Sequence, residues 1–397
     1  MASGALLKVS YKSEKDAAGG TYGVDPGAGS VQLREVRYSR YGVDMTPAFA
    51  ETDEIRSDRQ TVDAIMTDFG AAGQIEAPFA YLIHDDFIRA AMLVTSDFQA
   101  GVLLAALTNL TFAAAGNTIT RASGDFVAAG IVAGGFIRIT GAAQAGNNSV
   151  WKMTNVTTTV ITVSGGTLVN ESAGASVVIK QSQDIKPGTT IHSMMFEAQF
   201  TDLSNEYAVA TGMMVSRWAL SVPTNGLIKQ TFDTLGKTVA SASATTGTGA
   251  IIAAPTSVQF SSVNNIDKAC VAGAVVSLTA VQFSLDNRLR RHLAIGTLGP
   301  IDLGMGSIGL EGSFEAYYAS KADWDKAKAK TDSSLWLSFV DAANDRYVIE
   351  FPAIVYTSAT RTAGGKDSDA VATIGFRAKR STASYDLTMM RFSKIAP

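Results

Sequence analysis

Apolar and polar residues alternate in short runs along most of this chain, and the runs form two matching series. Val31-Gln32-Leu33-Arg34-Glu35-Val36-Arg37-Tyr38-Ser39 carries apolar residues at the same alternating places as Val276-Ser277-Leu278-Thr279-Ala280-Val281-Gln282-Phe283-Ser284. Period-two alternation predicts a half-buried strand in each. Gly73 to Tyr81 answers to Gly309 to Tyr317, and both lead into short acidic stretches, Asp85 to Leu93 and Ala322 to Ala329, that predict helices. Phe200-Thr201-Asp202-Leu203-Ser204-Asn205 matches Phe339-Val340-Asp341-Ala342-Ala343-Asn344, and Asp-x-x-Asn is hairpin punctuation. A unit that occurs twice supplies two equivalent surfaces per chain, which favours a ring or filament over a catalytic pocket.

Between Leu107 and Gln181 the pattern changes to brief Val, Ile and Thr alternations separated by glycine, such as Phe136 to Gly141 and Val160 to Val163. These predict a small β domain, and because matching segments lie on both sides of it, an insertion into the first unit. The expected division is an N-terminal arm at 1–30, a first unit at 31–106 and 182–238, the inserted domain at 107–181, a flexible small-residue linker at 239–257, and a second unit at 258–397. The predicted fold class is mainly β, with short flanking helices.

Composition narrows the chemistry. Among 397 residues, 46% are hydrophobic and 17% charged, enough for a sizeable core, and the formal charge of −3 disfavours a surface built to grip phosphate backbones. A single cysteine, Cys270, makes no internal disulfide and no metal cluster, and a reducing compartment fits it best. Met1 to Lys8 lacks the pattern of a signal peptide, and no apolar run has the length of a membrane span.

Candidate catalytic groups all have plainer readings. His84 precedes Asp85-Asp86, carboxylates that suit a helix N-terminus. Cys270 lies in an apolar setting where a thiol is inert. Gly364-Gly365-Lys366 lacks the first glycine of a phosphate-binding loop, because Thr360 stands there, and reads as a hairpin turn. Trp324 reads as an anchor into the sheet, and Trp218 and Trp336 as core. No enzyme activity, cofactor or metal is expected.

Assembly is the better use of the polar residues. The long excursion Thr46 to Thr67 carries Glu51, Asp53, Glu54, Arg56, Asp58 and Arg59, and its counterpart Leu285 to Gly306 carries Asn287, Arg288, Arg290 and Arg291. An acidic-rich loop and a basic one are expected to meet across a subunit interface.

Glu54-Ile55-Arg56-Ser57-Asp58-Arg59-Gln60, the Phe126 to Gly141 segment followed by Asn147-Asn148, and Ser284-Leu285-Asp286-Asn287-Arg288-Leu289 together resemble the major tail tube proteins of long-tailed, siphophage-type bacteriophages, over residues of about 30 to 392. The resemblance implies two tandem β-sandwich or barrel tube folds whose sheets join edge to edge around a lumen that DNA crosses without specific binding. It also implies stacked rings, with tape measure, tail terminator and distal tail or baseplate proteins as partners, in a virion tail assembled in the bacterial cytoplasm. With two folds per chain, three chains close a ring; six single-fold chains are the alternative. The inserted domain is expected to project outward. A carbohydrate-binding protein or adhesin is the competing reading; it would call for paired carboxylates among aromatics, whereas Glu311 and Glu315 share one solvated strand face.

Overall fold

A computed structural model describes residues 4–16, 19–26, 32–55, 57–58, 60, 63–94, 98, 101–247, 249–318, 321–363, 366, 369–384 and 386–396, and they are mainly β, joined by antiparallel pairings. Eight strands form one continuous sheet. In spatial order they are the interrupted strand Arg40–Tyr41 and Asp44–Met45, then Ala71–Pro78, Lys229–Gly236, the second half of Tyr207–Val222, Leu278–Asp286, Gly309–Tyr317, Ala370–Ala378 and the second half of Arg346–Ala363.

Alternation gives this sheet two unlike faces. Tyr41, Ile75, Phe232, Trp218, Leu285 and Leu310 are successive cross-strand partners on the core face. All but Tyr41 are fully buried. Arg40, Glu76, Thr231, Ala219, Ser284, Glu311 and Arg377 are partners in the same way on the opposite, polar face.

A second layer packs over the core. It pairs Leu7–Asp16 with Ser193–Phe200, and Ser193–Phe200 with the first half of Tyr207–Val222. The same order recurs as Ile266–Val271 with Ser333–Val340, and Ser333–Val340 with the first half of Arg346–Ala363. Even the irregularities coincide: bulges at Val215/Arg217 and Met194/Phe196 reappear at Tyr356/Ser358 and Ser333/Leu335. Each bulge adds a residue and turns the long strand, so matched bulges mean matched curvature. Helices Asp85–Met92 and Ala322–Ala329 also match, each ending on a left-handed residue, Leu93 at φ 51° and Lys330 at φ 52°.

The pairings correct the alignment drawn from alternation. Tyr41 and Val281 occupy equivalent places opposite Ile75 and Phe314, so 36–44, not 31–39, answers to 276–284. Likewise 70–78, not 73–81, answers to 309–317. The N-terminal segment is not an arm awaiting a neighbour, since Leu7–Asp16 is a strand of the second layer, paired with Ser193–Phe200. Nor is 239–257 free: Thr238–Ala242 pairs with Tyr207–Thr211, Thr245 and Thr246 donate to the Glu197 carboxylate, and Ile252 exchanges backbone hydrogen bonds with Leu33 and Glu35. Trp324 is 40% exposed and does not anchor in the core, whereas Trp218 and Trp336 do.

Residues 103–181 contain a separate seven-stranded sheet with its own core around Ile119, Phe126, Ile137, Trp151 and Ile161. Although it interrupts the first series of strands, it rests on the second. The Phe136 ring meets Trp336 edge-on at 5.2 Å, and the Lys268 ammonium lies 4.0 Å from the Trp151 ring centre. Beneath that contact lies a buried ion cluster. Lys152 reaches Glu350 at 2.6 Å and Asp386 at 2.7 Å, while Arg391 reaches Asp386 at 2.6 Å, Glu350 at 3.3 Å and also Asp184.

Helix Asp85–Met92 is tied down by its acidic first turn. Asp85 accepts from the Tyr347 hydroxyl and from Lys394 Nζ at 3.2 Å, and Asp86 accepts from the Tyr11 hydroxyl at 2.7 Å. His84 makes no capping bond. Its Nε2 lies 2.8 Å from the Arg37 carbonyl and its Nδ1 3.0 Å from Gln230 Nε2, which suits a neutral ring that donates to the first and accepts from the second. Burial pushes its pKa down from 6.5 to about 4. The unfolded chain therefore binds the proton first on acidification. His84's stabilisation is complete above pH 6.5 and is lost as pH falls toward about 4, a loss of about 3 kcal/mol. Urea unfolding at pH 7 and pH 4 should show wild type weakening by about that much more than His84→Gln; equal slopes would remove His84 from the pH response.

Candidate assembly surface

The eight-strand sheet has two ends, and among the described residues neither end strand has a partner on its outer side. Arg40 to Met45 pairs only with Ala71–Pro78, and Val355 to Ala363 only with Ala370–Ala378. An edge of unpaired N–H and C=O groups is a template for another strand. In the middle of the sheet the corresponding edges are already joined, Tyr207–Val222 to Leu278–Asp286, through the pairs Arg217↔Asp286, Trp218↔Leu285, Leu220↔Phe283 and Val222↔Val281.

Solvent exposure separates the joined edges from the open ones. Trp218 and Leu285 are 0% exposed across the internal joint, but Met45, which stands where Leu285 does, is 53% exposed. The chain itself covers the one and not the other.

The polar face carries more acid than base. Its paired positions present the carboxylates of Asp44, Glu76, Asp233, Asp286, Glu311 and Glu315 beside the cations of Arg40, Arg217, Lys229 and Arg377. Two of the four cations are paired on the face, Arg377 donating from Nε to Glu311 at 2.9 Å and Arg40 lying 3.4 Å from Glu76, while Thr373 donates to Glu315 at 3.1 Å and Gln74 to Asp233 at 2.8 Å. Six carboxylates against four cations, two of them already paired, make a poor surface for holding a polyanion.

Two hairpins extend from equivalent places beside this sheet, Ala48–Glu51 with Ala64–Asp68 and Arg290–His292 with Asp302–Gly304. Both are exposed and carry apolar side chains toward solvent, with Phe49 and Ile65 on the first and Leu293 and Ile295 on the second. Glu51, Asp53, Glu54 and Asp58 of the candidate interface lie on or at the tip of the first and are exposed; Arg56 and Arg59 lie outside the described residues.

The basic counterpart is divided. Asn287 is buried, its Nδ2 donating to the carbonyls of Ala91 at 2.8 Å and Val215 at 3.0 Å, so it locks the internal joint and offers nothing to a partner. Arg291 turns inward to the first hairpin, donating to Asp68 Oδ1 at 2.9 Å and the Phe69 carbonyl at 2.8 Å; this acid–base contact is made within one chain. Arg288 and Arg290 remain exposed, with Ser307 and the Met305 carbonyl as neighbours. Sequence reading missed the edge residues Met45, Ala359 and Arg361. The signal available for them was the run of small and β-branched residues Thr357-Ser358-Ala359-Thr360 continuing an apolar strand.

Chemistry elsewhere is quiet. Burial raises the Cys270 thiol to about 12, which keeps it protonated and unreactive. The Gly364 to Asp369 turn lies largely outside the described residues, although the strands flanking it pair as far as Ala363↔Ala370. No helix among the described residues is long and apolar enough to cross a membrane, and those residues contain no group of three His, Cys, Asp or Glu placed to hold a metal. A search of curated proteins finds no match to the chain. A family model described as phage tail tube protein matches residues 7–378, from the first residue of Leu7–Asp16 to the last of Ala370–Ala378, and the chain belongs to that family, whose members serve as structural components of the virion tail.

Proposed function

We propose that this chain is the major tail tube subunit, that its residues 7–102 with 182–242 and its residues 266–395 are two tandem tube folds, and that three chains close each ring. The observation that carries this is the internal joint. Two edges of the kind left open at the ends of the sheet are already paired in its middle, so one chain contains the contact that a ring repeats. Three eight-strand sheets spaced at about 4.8 Å give a circumference of roughly 115 Å and a backbone diameter of about 37 Å, which strand tilt widens further. That leaves a passage for a DNA duplex.

In this ring the polar face lines the lumen, and its excess of carboxylates lets DNA slide without counterion-release binding. The exposed apolar side chains of the two hairpins contact the next ring of the stack, and the 103–181 domain stands outside the tube on the second fold. The tape measure protein would fill the lumen before DNA does, with terminator and distal tail or baseplate proteins at the two ends, and assembly would take place in the host cytoplasm. Electron microscopy of concentrated protein, with averaging of end-on views, tests the reading. Hollow tubes with three outer projections per ring are expected; six projections would mean one fold per ring position from each of six chains, and discrete particles under all salt conditions would overturn the tube assignment.

A further inference from the structure

Resting on the ring just proposed, we infer the register of the seam between neighbouring chains: Met45 of one chain lies opposite Ala359 of the next, Val43 opposite Arg361, and Tyr41 opposite Ala363, in antiparallel pairing.

The internal joint and the two sets of pairings fix this without adjustable choice. Going outward from the joint in the first series, Trp218 faces Phe232, Phe232 faces Ile75, and Ile75 faces Tyr41. In the second, Ala359 faces Ile374, Ile374 faces Phe314, and Phe314 faces Val281. Ala359 is thus the counterpart of Trp218, and Tyr41 that of Val281. Across the joint Val222 meets Val281 and Trp218 meets Leu285. Carrying those two pairs onto their counterparts places Ala363 against Tyr41 and Ala359 against Met45. The bulges at Val215/Arg217 and Tyr356/Ser358 fall at the same distance from the seam, so neither strand slips between the copies.

The side chains at the open seam fit a contact that forms after folding. Met45 is more than half exposed in the chain, Ala359 is only partly covered, and Arg361 is exposed, with its guanidinium 5.4 Å from the Tyr318 ring centre and 5.9 Å from that of Trp324. Leu220, the counterpart of Arg361, is buried. On the Arg346–Ala363 side, smaller or more polar residues, Ala359, Arg361 and Ala363, therefore stand where Trp218, Leu220 and Val222 fill the joint, which keeps that edge soluble until it is paired. Pro47 stands where Asn287 locks the internal joint. Asn287 donates its backbone N–H to the Ser216 carbonyl at 2.8 Å, and proline has none to donate. The seam thus lacks one fastening that the joint possesses.

Cysteines at Met45 and Ala359 test the register. Opposed residues of an antiparallel pair have Cα atoms about 4.5–5.5 Å apart, within the span of a disulfide. Native Cys270 is buried and does not compete. After mild oxidation, M45C/A359C should run on denaturing gels as covalent species of two and three chains, while M45C/T360C, whose second side chain points to the other face, stays single. Met45→Lys supplies the second measurement: the position is open in the separate chain and closed in the seam, so this variant should keep wild-type unfolding behaviour and lose tubes. Tubes seen by microscopy with no M45C/A359C cross-link, or with the cross-link in the control pair, would overturn the register while leaving the tube function standing. Tubes formed normally by Met45→Lys would overturn it too. Discrete particles and no cross-link in either pair would overturn both.

Discussion

Replacing Arg391 by methionine is expected to destabilise the folded chain by about 3–5 kcal/mol, read as a fall in the urea midpoint of tryptophan fluorescence. Arg391 is 3% exposed and faces Asp184, Glu350 and Asp386, with Lys152 the other cation that reaches the last two. Forming such a cluster brings little net stability, because desolvation of each ion offsets most of the attraction. Removing one cation is a different matter, since it leaves the buried Glu350 and Asp386 carboxylates sharing the Lys152 ammonium and takes the guanidinium away from Asp184. Burial already pushes the Glu350 carboxyl upward, and Lys152 is the main group pulling it back, with Arg391 adding to the pull. Glu350→Gln added to Arg391→Met should therefore recover part of the loss, a non-additivity expected of groups in one network. A change below about 1 kcal/mol for the single variant would mean that the cluster is solvated and contributes no more than a surface ion pair.

Trp218→Ala is expected to cost a comparable 3–5 kcal/mol or so, with the added effect of loosening the internal joint. Trp218 is fully buried between the two series of strands. Its indole stands edge-on to Phe283 at 5.4 Å and to Phe392 at 5.9 Å, lies parallel to Phe232 at 6.5 Å, and donates from Nε1 to Gln230 Oε1 at 3.2 Å. Truncation leaves a cavity bounded by three rings and strands Gln230, whose amide also serves His84 and the Pro78 carbonyl. Amide exchange should accelerate on Tyr207–Val222 and Leu278–Asp286 together, because they share the joint. Protection lost on only one of them would mean that the joint does not depend on the indole.

Alternation revealed the strands but not their places. Residues 31–39 alternate convincingly, yet the strand that answers to 276–284 lies five residues further on, and Leu33 is buried in a small separate cluster with Met195 and Val209. Period-two patterning sets which face a side chain takes and is silent on which partner the strand meets. The strand Leu7–Asp16 was invisible for a different reason. Both of its faces are buried, and one of them carries Lys12 and Glu14, which read as solvent-facing in sequence. Lys12 is compensated by Asp25 at 2.6 Å, and Glu14 by the Gly212 N–H at 2.9 Å, partners that no local pattern announces. The hairpin excursions were legible as unpaired charged loops. The seam residues were not, because the small and polar run around Ala359 and Arg361 and the short interrupted strand at Arg40 to Met45 look like loops until the neighbouring pairings are known.

The inserted domain grows out of the first series of strands and is fastened to the second, which makes it a clasp on the chain. Pulling the two halves apart must open the Trp218–Leu285 joint and also tear Lys152 and Trp151 from Glu350, Asp386 and Lys268. The two halves therefore melt in a single cooperative transition, and a cut between residues 242 and 266 yields two fragments that remain bound to each other rather than two free-standing domains.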